Sequence, residues 1–206
     1  MKGPVLGAPG ALLVIISGPS GVGKDTIIAA MRRLPGASAY HYVVTCTTRA
    51  PRPGEVNGID YRFLAMDAFA RMREESGFLE WAEVHGNSYG TPRDSVRAAL
   101  ANGRHAVLKI DVQGAATVKR EVPDALLIFL TPPSTEELFS RLRARGTESD
   151  HELEIRQRNA MAELARRDDY DHVVENRTGE VDRTAARIVE IVEAEHGSHA
   201  DRRLRV

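Results

Sequence analysis

The residues best suited to chemistry form one short run, Gly18-Pro19-Ser20-Gly21-Val22-Gly23-Lys24-Asp25-Thr26. Glycines let a backbone curl until successive N–H groups point inward at an anion. Lys24 adds a full positive charge, and the helix expected behind it adds the partial charge of its N-terminus. Such a cradle suits the phosphates of a nucleoside triphosphate. The residue after the lysine is ordinarily a Ser or Thr whose hydroxyl holds Mg²⁺. Here it is Asp25, followed by Thr26. Two readings of Asp25 stay open: contact with the metal through water, or a negative charge that favours the first helical turn.

A second set lies between Thr45 and Thr91. Arg49 and Arg52 bracket Pro51, and tyrosines follow. Guanidinium groups give paired hydrogen bonds and fixed charge, and tyrosine hydroxyls add donors, which suits a phosphate monoester dianion. Glu80 stands in Phe78-Leu79-Glu80-Trp81. One carboxylate can accept from guanine N1–H and N2–H₂ together, whereas adenine would leave it unpaired at a cost of roughly 1–3 kcal/mol. The acceptor expected is therefore GMP rather than AMP. The plainer alternative makes Glu80 a surface acid beside a core tryptophan. A third set is Arg141 and Arg145, four apart and so on one helix face, with Arg156 further on. By charge pattern alone, Glu137 four residues before Arg141 suggests a solvated helix with an ion pair worth only ~0.3–0.5 kcal/mol.

Strand and helix patterns must position these groups. Ala11 to Ile16 is a short β-branched apolar run, which reads as a buried parallel strand, and Thr26 to Leu34 has helical apolar spacing. Strand, glycine loop and helix in that order make a P-loop. His105 to Ile110, Ala125 to Leu130 and, more weakly, Tyr170 to Val174 are further strands, and Val181 to Glu195 is an amphipathic helix. The alternation predicts an α/β fold: a parallel core sheet with helices on both faces and ligands beyond the strands' carboxyl ends. Two stretches interrupt it, Thr45 to Thr91, dense in Gly, Pro and aromatics, and the charged helical run from about Glu136 to Arg158.

The strings TTRAPRPGEVNGIDY, FLEWAEVHGNSYGT, IDVQGA and RLRARGTES carry a resemblance to the guanylate kinase family, running from about Val14 to His196. The resemblance implies a P-loop kinase that uses Mg²⁺, takes ATP and GMP, and closes a helical lid over the triphosphate. It implies that Arg49, Arg52, Tyr61 and Tyr89 hold the GMP phosphate, and that Thr45, Glu80, Thr91 and Asp111 face the guanine edge. Asn176 falls near the adenine of ATP, and Arg141, Arg145 and Arg156 become lid arginines that act on the phosphates with Lys24. Asp25 and Thr26 are the candidate Mg²⁺ contacts. One departure is Lys109, before Ile110-Asp111, where the family usually carries a carboxylate. Another is Glu175-Asn176-Arg177, in place of the usual apolar-Asn-acid pattern. Two alternatives are a non-catalytic guanylate kinase-like interaction module and a ribose bisphosphate kinase. The former typically loses loop or lid elements; the latter has no need of the TTRAPRPGE string.

Length and composition agree with a single enzyme domain. The 206 residues suffice for one core with insertions: a core of about 11–44, 96–135 and 159–196, a GMP-binding segment of about 45–95 and a lid of about 136–158. Residues 1–10 and 197–206 read as flexible ends. A net charge of −1 argues against a nucleic-acid partner. The single cysteine, Cys46, excludes an internal disulfide, and the seven histidines show no zinc spacing. No run approaches the ~18 apolar residues of a membrane span, and Met1 to Gly10 lacks a secretion signal, so the expected location is the cytoplasm. The sequence leaves the oligomeric state open.

Overall fold

The computed structural model describes residues 7–84, 86–144 and 150–206. β1 (Leu13–Ser17) leads through the glycine loop into α1 (Lys24–Met31), and β2 (Tyr40–Tyr42) follows. The first interruption holds β3 (Cys46–Thr47), β4 (Arg62–Phe63), α2 (Met66–Glu74), β5 (Phe78–Val84) and β6 (Asn87–Pro92). The chain then returns through α3 (Arg93–Ala101), β7 (His105–Lys109), α4 (Val112–Glu121) and β8 (Leu126–Thr131). α5 (Thr135–Arg143) and α6 (Asp150–Leu164) form the second interruption, and β9 (His172–Glu175) and α7 (Val181–Ser198) complete the fold.

The core sheet has the order β2-β7-β1-β8-β9, and all its pairings are parallel. β1 sits at its centre and is buried throughout. Its side chains alternate between two cores, as the period of a strand requires. Leu13 and Ile15 pack with Val96, Leu100 and Val118 from α3 and α4. Val14 and Ile16 pack with Ile27, Met31, Ile188 and Val192 from α1 and α7. A strand covered on both faces is apolar at every position, which is why this one was legible.

The first interruption folds as its own four-stranded sheet, in the order β4-β3-β6-β5. β5 and β6 form an antiparallel hairpin in which Glu80 faces Thr91 and Trp81 faces Gly90. The second interruption is two helices rather than one solvated run. Leu138 and Leu142 of α5 pack against Ala160 of α6, and all three are buried.

The C-terminal end departs from the expectation of a frayed tail. Leu204 and Val206 are buried against the α3–α4 core. Gly7 and Gly10 N–H groups donate to the Leu204 and Arg202 carbonyls at 2.9 Å each, and Arg97 Nε donates to Val206 O at 2.8 Å. Two apolar side chains at i and i+2 in a polar run are enough to dock an extended end on one face. Leu204→Ala is expected to lower unfolding stability by about 2–3 kcal/mol. Denaturant titration checks this, and an unchanged midpoint would return the tail to solvent.

Candidate active site

The glycine loop leaves the carboxyl end of β1 and begins with a close backbone contact. A Cβ on Gly18 would lie 2.3 Å from the Leu130 carbonyl oxygen, and its φ is +140°. Gly23, at φ +99°, caps α1, and a Cβ there would meet Asn176 Nδ2 at 2.7 Å. Both positions demand glycine for backbone angle and for space. Asn176 donates from Nδ2 to Val22 O at 2.7 Å and so fastens the loop to the chain beyond β9. Its Oδ1 is buried with no hydrogen-bond partner among the described residues, an acceptor open to an N–H donor.

α1 starts at Lys24, two residues earlier than its apolar spacing suggested. Lys24 Nζ donates to Gly18 O at 2.6 Å and Pro19 O at 3.1 Å, which folds the ammonium over the loop. Burial lowers its pKa, against the opposing pull of Glu163, Asp25 and Asp111. Ser20 N–H donates to Glu163 Oε2 at 2.9 Å. Burial pushes the Glu163 carboxyl up, and the Ser20 bond and Lys24 draw it back.

The two arms of the second interruption meet this loop. Arg141 donates to Val22 O at 3.2 Å, Asn176 O at 2.8 Å and Thr178 Oγ1 at 3.2 Å, and pairs with Glu137 at 2.5 Å. The helical ion pair anticipated from spacing is present, yet the arginine is 20% exposed and also holds the loop, so α5 is no freely solvated helix. Arg156 Nη2 lies 3.4 Å from Ser20 Oγ. Arg145 lies outside the described residues.

Across the cleft, the inserted sheet assembles a buried polar group. Glu80 is 6% exposed while its neighbour Trp81 is 46% exposed, with Arg73 stacked over the indole at 5.0 Å. That reverses the surface-acid alternative: alternation along β5 turns the acid inward and the tryptophan out. Thr91 Oγ1 donates to Glu80 Oε1 at 2.5 Å. Asp111 caps α4 by accepting from Gly114 N at 2.7 Å. A Cβ on Gly114 would meet Glu80 Oε2 at 3.0 Å and Asp111 Oδ1 at 3.3 Å, so this glycine lets the two acids share one corner. Burial first, and Asp111 second, raise the Glu80 pKa to about 7, against the lowering effect of Thr91. Thr45 precedes β3, one step before the Cys46↔Gly90 pair and hence beside Thr91 in the register.

Beside this corner lies a cationic one. The Arg49 guanidinium sits 5.4 Å from the Tyr61 ring centroid, and Tyr61 meets Tyr89 edge-on at 6.1 Å. Arg49 Nη2 donates to both Glu55 oxygens, at 2.8 and 3.0 Å. Arg52 is exposed, and its backbone N–H donates to Glu55 at 2.7 Å. Lys109 pairs with Asp25 and lies 5.1 Å from the Tyr61 ring centroid. Glu55 and Glu163 were not singled out from sequence. Glu163 lies 143 positions from Ser20 in an evenly charged helix, so nothing short of the fold marks it.

A parallel sheet that delivers a glycine loop and lysine to its carboxyl edge, flanked by arginine-bearing helices and an inserted sheet, defines a P-loop kinase. The sequence matches the family described as guanylate kinase over residues 11–195. It is similar to the guanylate kinase of Bacillus subtilis, 46% identical over 185 residues, which cover 90% of this chain and 89% of that one. The Gloeobacter violaceus guanylate kinase is 49% identical over 175 residues, 84% of each chain. The crystal structure of guanylate kinase from Anaplasma phagocytophilum superposes with a TM-score of 0.73 at 31% identity, covering 93% of this chain and 88% of that one. The chain belongs to the guanylate kinase family.

The raised Glu80 pKa makes stability depend on pH. Below its ordinary value of 4.5 the carboxyl is protonated in folded and unfolded chains alike. Between 4.5 and about 7 the folded chain keeps a proton that the unfolded chain has lost, so stability falls as pH rises, and the cost is complete above 7. At 1.36 kcal/mol per pKa unit this is roughly 3 kcal/mol. Glu80→Gln is therefore expected to gain stability relative to wild type from pH 5 to pH 8. Melting temperatures across that range test it, and a constant difference between the two proteins would contradict it.

Proposed function

We propose that the chain transfers the γ-phosphoryl group of ATP to GMP, and to dGMP, giving ADP and GDP in purine nucleotide metabolism. The observation that carries the acceptor is the buried Glu80 carboxyl beside Thr91 and Asp111, one corner away from Arg49, Tyr61 and Tyr89. A carboxylate in that place is left costly unless donors reach it, and guanine N1–H and N2–H₂ are such donors. Thr45 and Thr91 hydroxyls would serve guanine O6, with Asp111 at the N2 side. Arg49, Arg52 and the two tyrosines would hold the phosphate, which replaces Glu55 on Arg49.

On the donor side, the glycine loop would offer backbone N–H groups such as those of Gly21 and Gly23 to the triphosphate, with the Ser20 N–H joining them on release from Glu163, and Lys24 would set its charge against the phosphates. The unpaired Asn176 Oδ1 suits an N–H donor such as the adenine amino group. Mg²⁺ fits this setting. It needs only one or two protein oxygens when phosphates and waters complete its shell, and Thr26 and Asp25 stand exposed in the first turn of α1. Among the described residues no three acidic, histidine or cysteine side chains gather into a metal site. Bound at the start of α1, Mg²⁺ would neutralise charge on the triphosphate.

The transfer needs alignment and charge neutralisation above all. The GMP phosphate is already ionised near neutral pH, so it attacks without a general base in one in-line displacement. Arg141 and Arg156, poised on the loop, would stabilise charge as the γ-phosphoryl moves. Closure of α5, α6 and the inserted sheet would exclude water and prevent ATP hydrolysis. Cytoplasmic location belongs to the same reading; among the described residues no helix is long and apolar enough to cross a membrane. No observation favours the interaction-module or ribose bisphosphate alternatives.

A coupled ADP-release assay with ATP, Mg²⁺ and GMP, AMP, CMP or UMP tests the proposal. Turnover confined to GMP supports it, and equal turnover with AMP or none with GMP would end it. Glu80→Gln is expected to raise the GMP KM and to narrow the GMP/AMP preference; an unchanged ratio removes Glu80 from base recognition. Arg141→Met is expected to lower kcat by about 10³-fold, as loss of an arginine finger does, with a much smaller change in either KM. Near-normal kcat would confine Arg141 to holding the loop.

A further inference from the structure

Lys109 is a charge the proposed reaction has not used. It ends β7, where its backbone pairs with Ile16, two residues before the glycine loop. From there its ammonium reaches in two directions. It bonds to the Asp25 carboxylate in the first turn of α1, and it lies 5.1 Å from the Tyr61 ring centroid in the inserted segment. The Arg49 guanidinium lies 5.4 Å from that same centroid. Lys109 also lies close enough to Lys24 for the two charges to interact. One ammonium thus stands between the lysine of the triphosphate cradle and the arginine of the acceptor corner.

The arrangement is poorly explained as a stabilising ion pair. The Lys109 side chain is 23% exposed and Asp25 is 73% exposed, so water screens the partner. Pairs of that kind contribute about 0–1 kcal/mol. An ammonium pointed by a carboxylate and set beside an aromatic ring is suited to meeting a dianion.

We propose that Lys109, aimed by Asp25, is a positioning residue for the phosphate of the acceptor nucleotide, drawing it toward the glycine loop. This rests on the ATP-to-GMP reading above. It gives Asp25 a function beyond either sequence reading: its charge holds Lys109 between the two phosphate sites. A bare carboxylate at 25 facing incoming phosphates would repel them, and pairing with Lys109 cancels that repulsion.

Calorimetric binding of GMP and of guanosine, which lacks the phosphate, separates this role from a structural one. The proteins compared are wild type, Lys109→Met, Lys109→Arg and Asp25→Asn. Lys109→Met is expected to weaken GMP about tenfold or more, as loss of a charge-assisted hydrogen bond does, and to leave guanosine unchanged. Lys109→Arg should restore most of the GMP affinity, and Asp25→Asn should show a smaller loss confined to GMP. Equal weakening of GMP and guanosine, or no weakening of GMP in Lys109→Met, overturns the positioning role. Thermal melting of the arginine variant confirms that the fold is intact at that position. Wild-type protein that binds no GMP would overturn the function itself. Wild-type protein that binds GMP, with Lys109→Met binding equally well, would overturn this inference alone.

Discussion

The site depends on how closely the backbone at Gly18 passes the carbonyl of Leu130. No side chain fits there, since a Cβ would stand 2.3 Å from that oxygen. The crossing is possible because β1 and β8 are neighbours in a parallel sheet, with Ser17 beside Phe129, so that Gly18 comes next to Leu130 while β8 runs on to Thr131. It turns the loop over the carboxyl edge of the sheet and sets the start of α1, and with it Lys24. Asn176 and Arg141 then grip the loop by the same carbonyl, Val22 O. A single backbone approach therefore fixes the cradle, and two distant segments lock it.

Around this cradle the protein gathers many charges into little space, and they are arranged in opposed pairs. Glu55 holds Arg49, Asp25 holds Lys109 and Glu137 holds Arg141. Glu163 accepts from the Ser20 N–H of the glycine loop. Like charges so close would otherwise repel, and an isolated buried ion is costly. Each pair keeps a cation in contact with a carboxylate; on the proposed function, phosphate binding would be an exchange of one anion for another. The exception is Glu80, which has a hydroxyl and a second acid for company. It bears the clearest desolvation cost in the site, and on the proposed function a base with two adjacent N–H donors would relieve it.

Much of this was legible in the sequence because buried parallel strands are apolar without interruption. β1, β7 and β8 fall within one or two residues of their expected ends. β2, β3 and β4 were invisible as strands: Tyr-His-Tyr, Cys-Thr and Arg-Phe are too short to show a period. The direction of Glu80 could not be read either, since alternation along β5 is decided by its pairing with β6. Residue type and spacing single out the loop and Arg49 and leave Glu80 open to a surface acid and Arg141 to a solvated helix; the family strings give those two their expected roles and add Tyr61, Thr91, Asp111 and Asn176. Glu163 and the Asp25–Lys109 pair needed the fold, because each contact spans at least 84 positions.

The most direct test of a cradle built for an anion at the expense of stability is Lys24→Met. The ammonium it removes is desolvated, with a lowered pKa. Methionine of similar length can occupy the same space without that cost. Turnover of ATP and GMP, measured beside thermal melting, is predicted to fall about 10²–10³-fold, the cost of losing one preorganised charge-stabilising donor, while the melting temperature does not fall. A protein that melts earlier yet keeps its turnover would contradict the account, because Lys24 would then be a structural clamp on the loop and the phosphates would be held elsewhere.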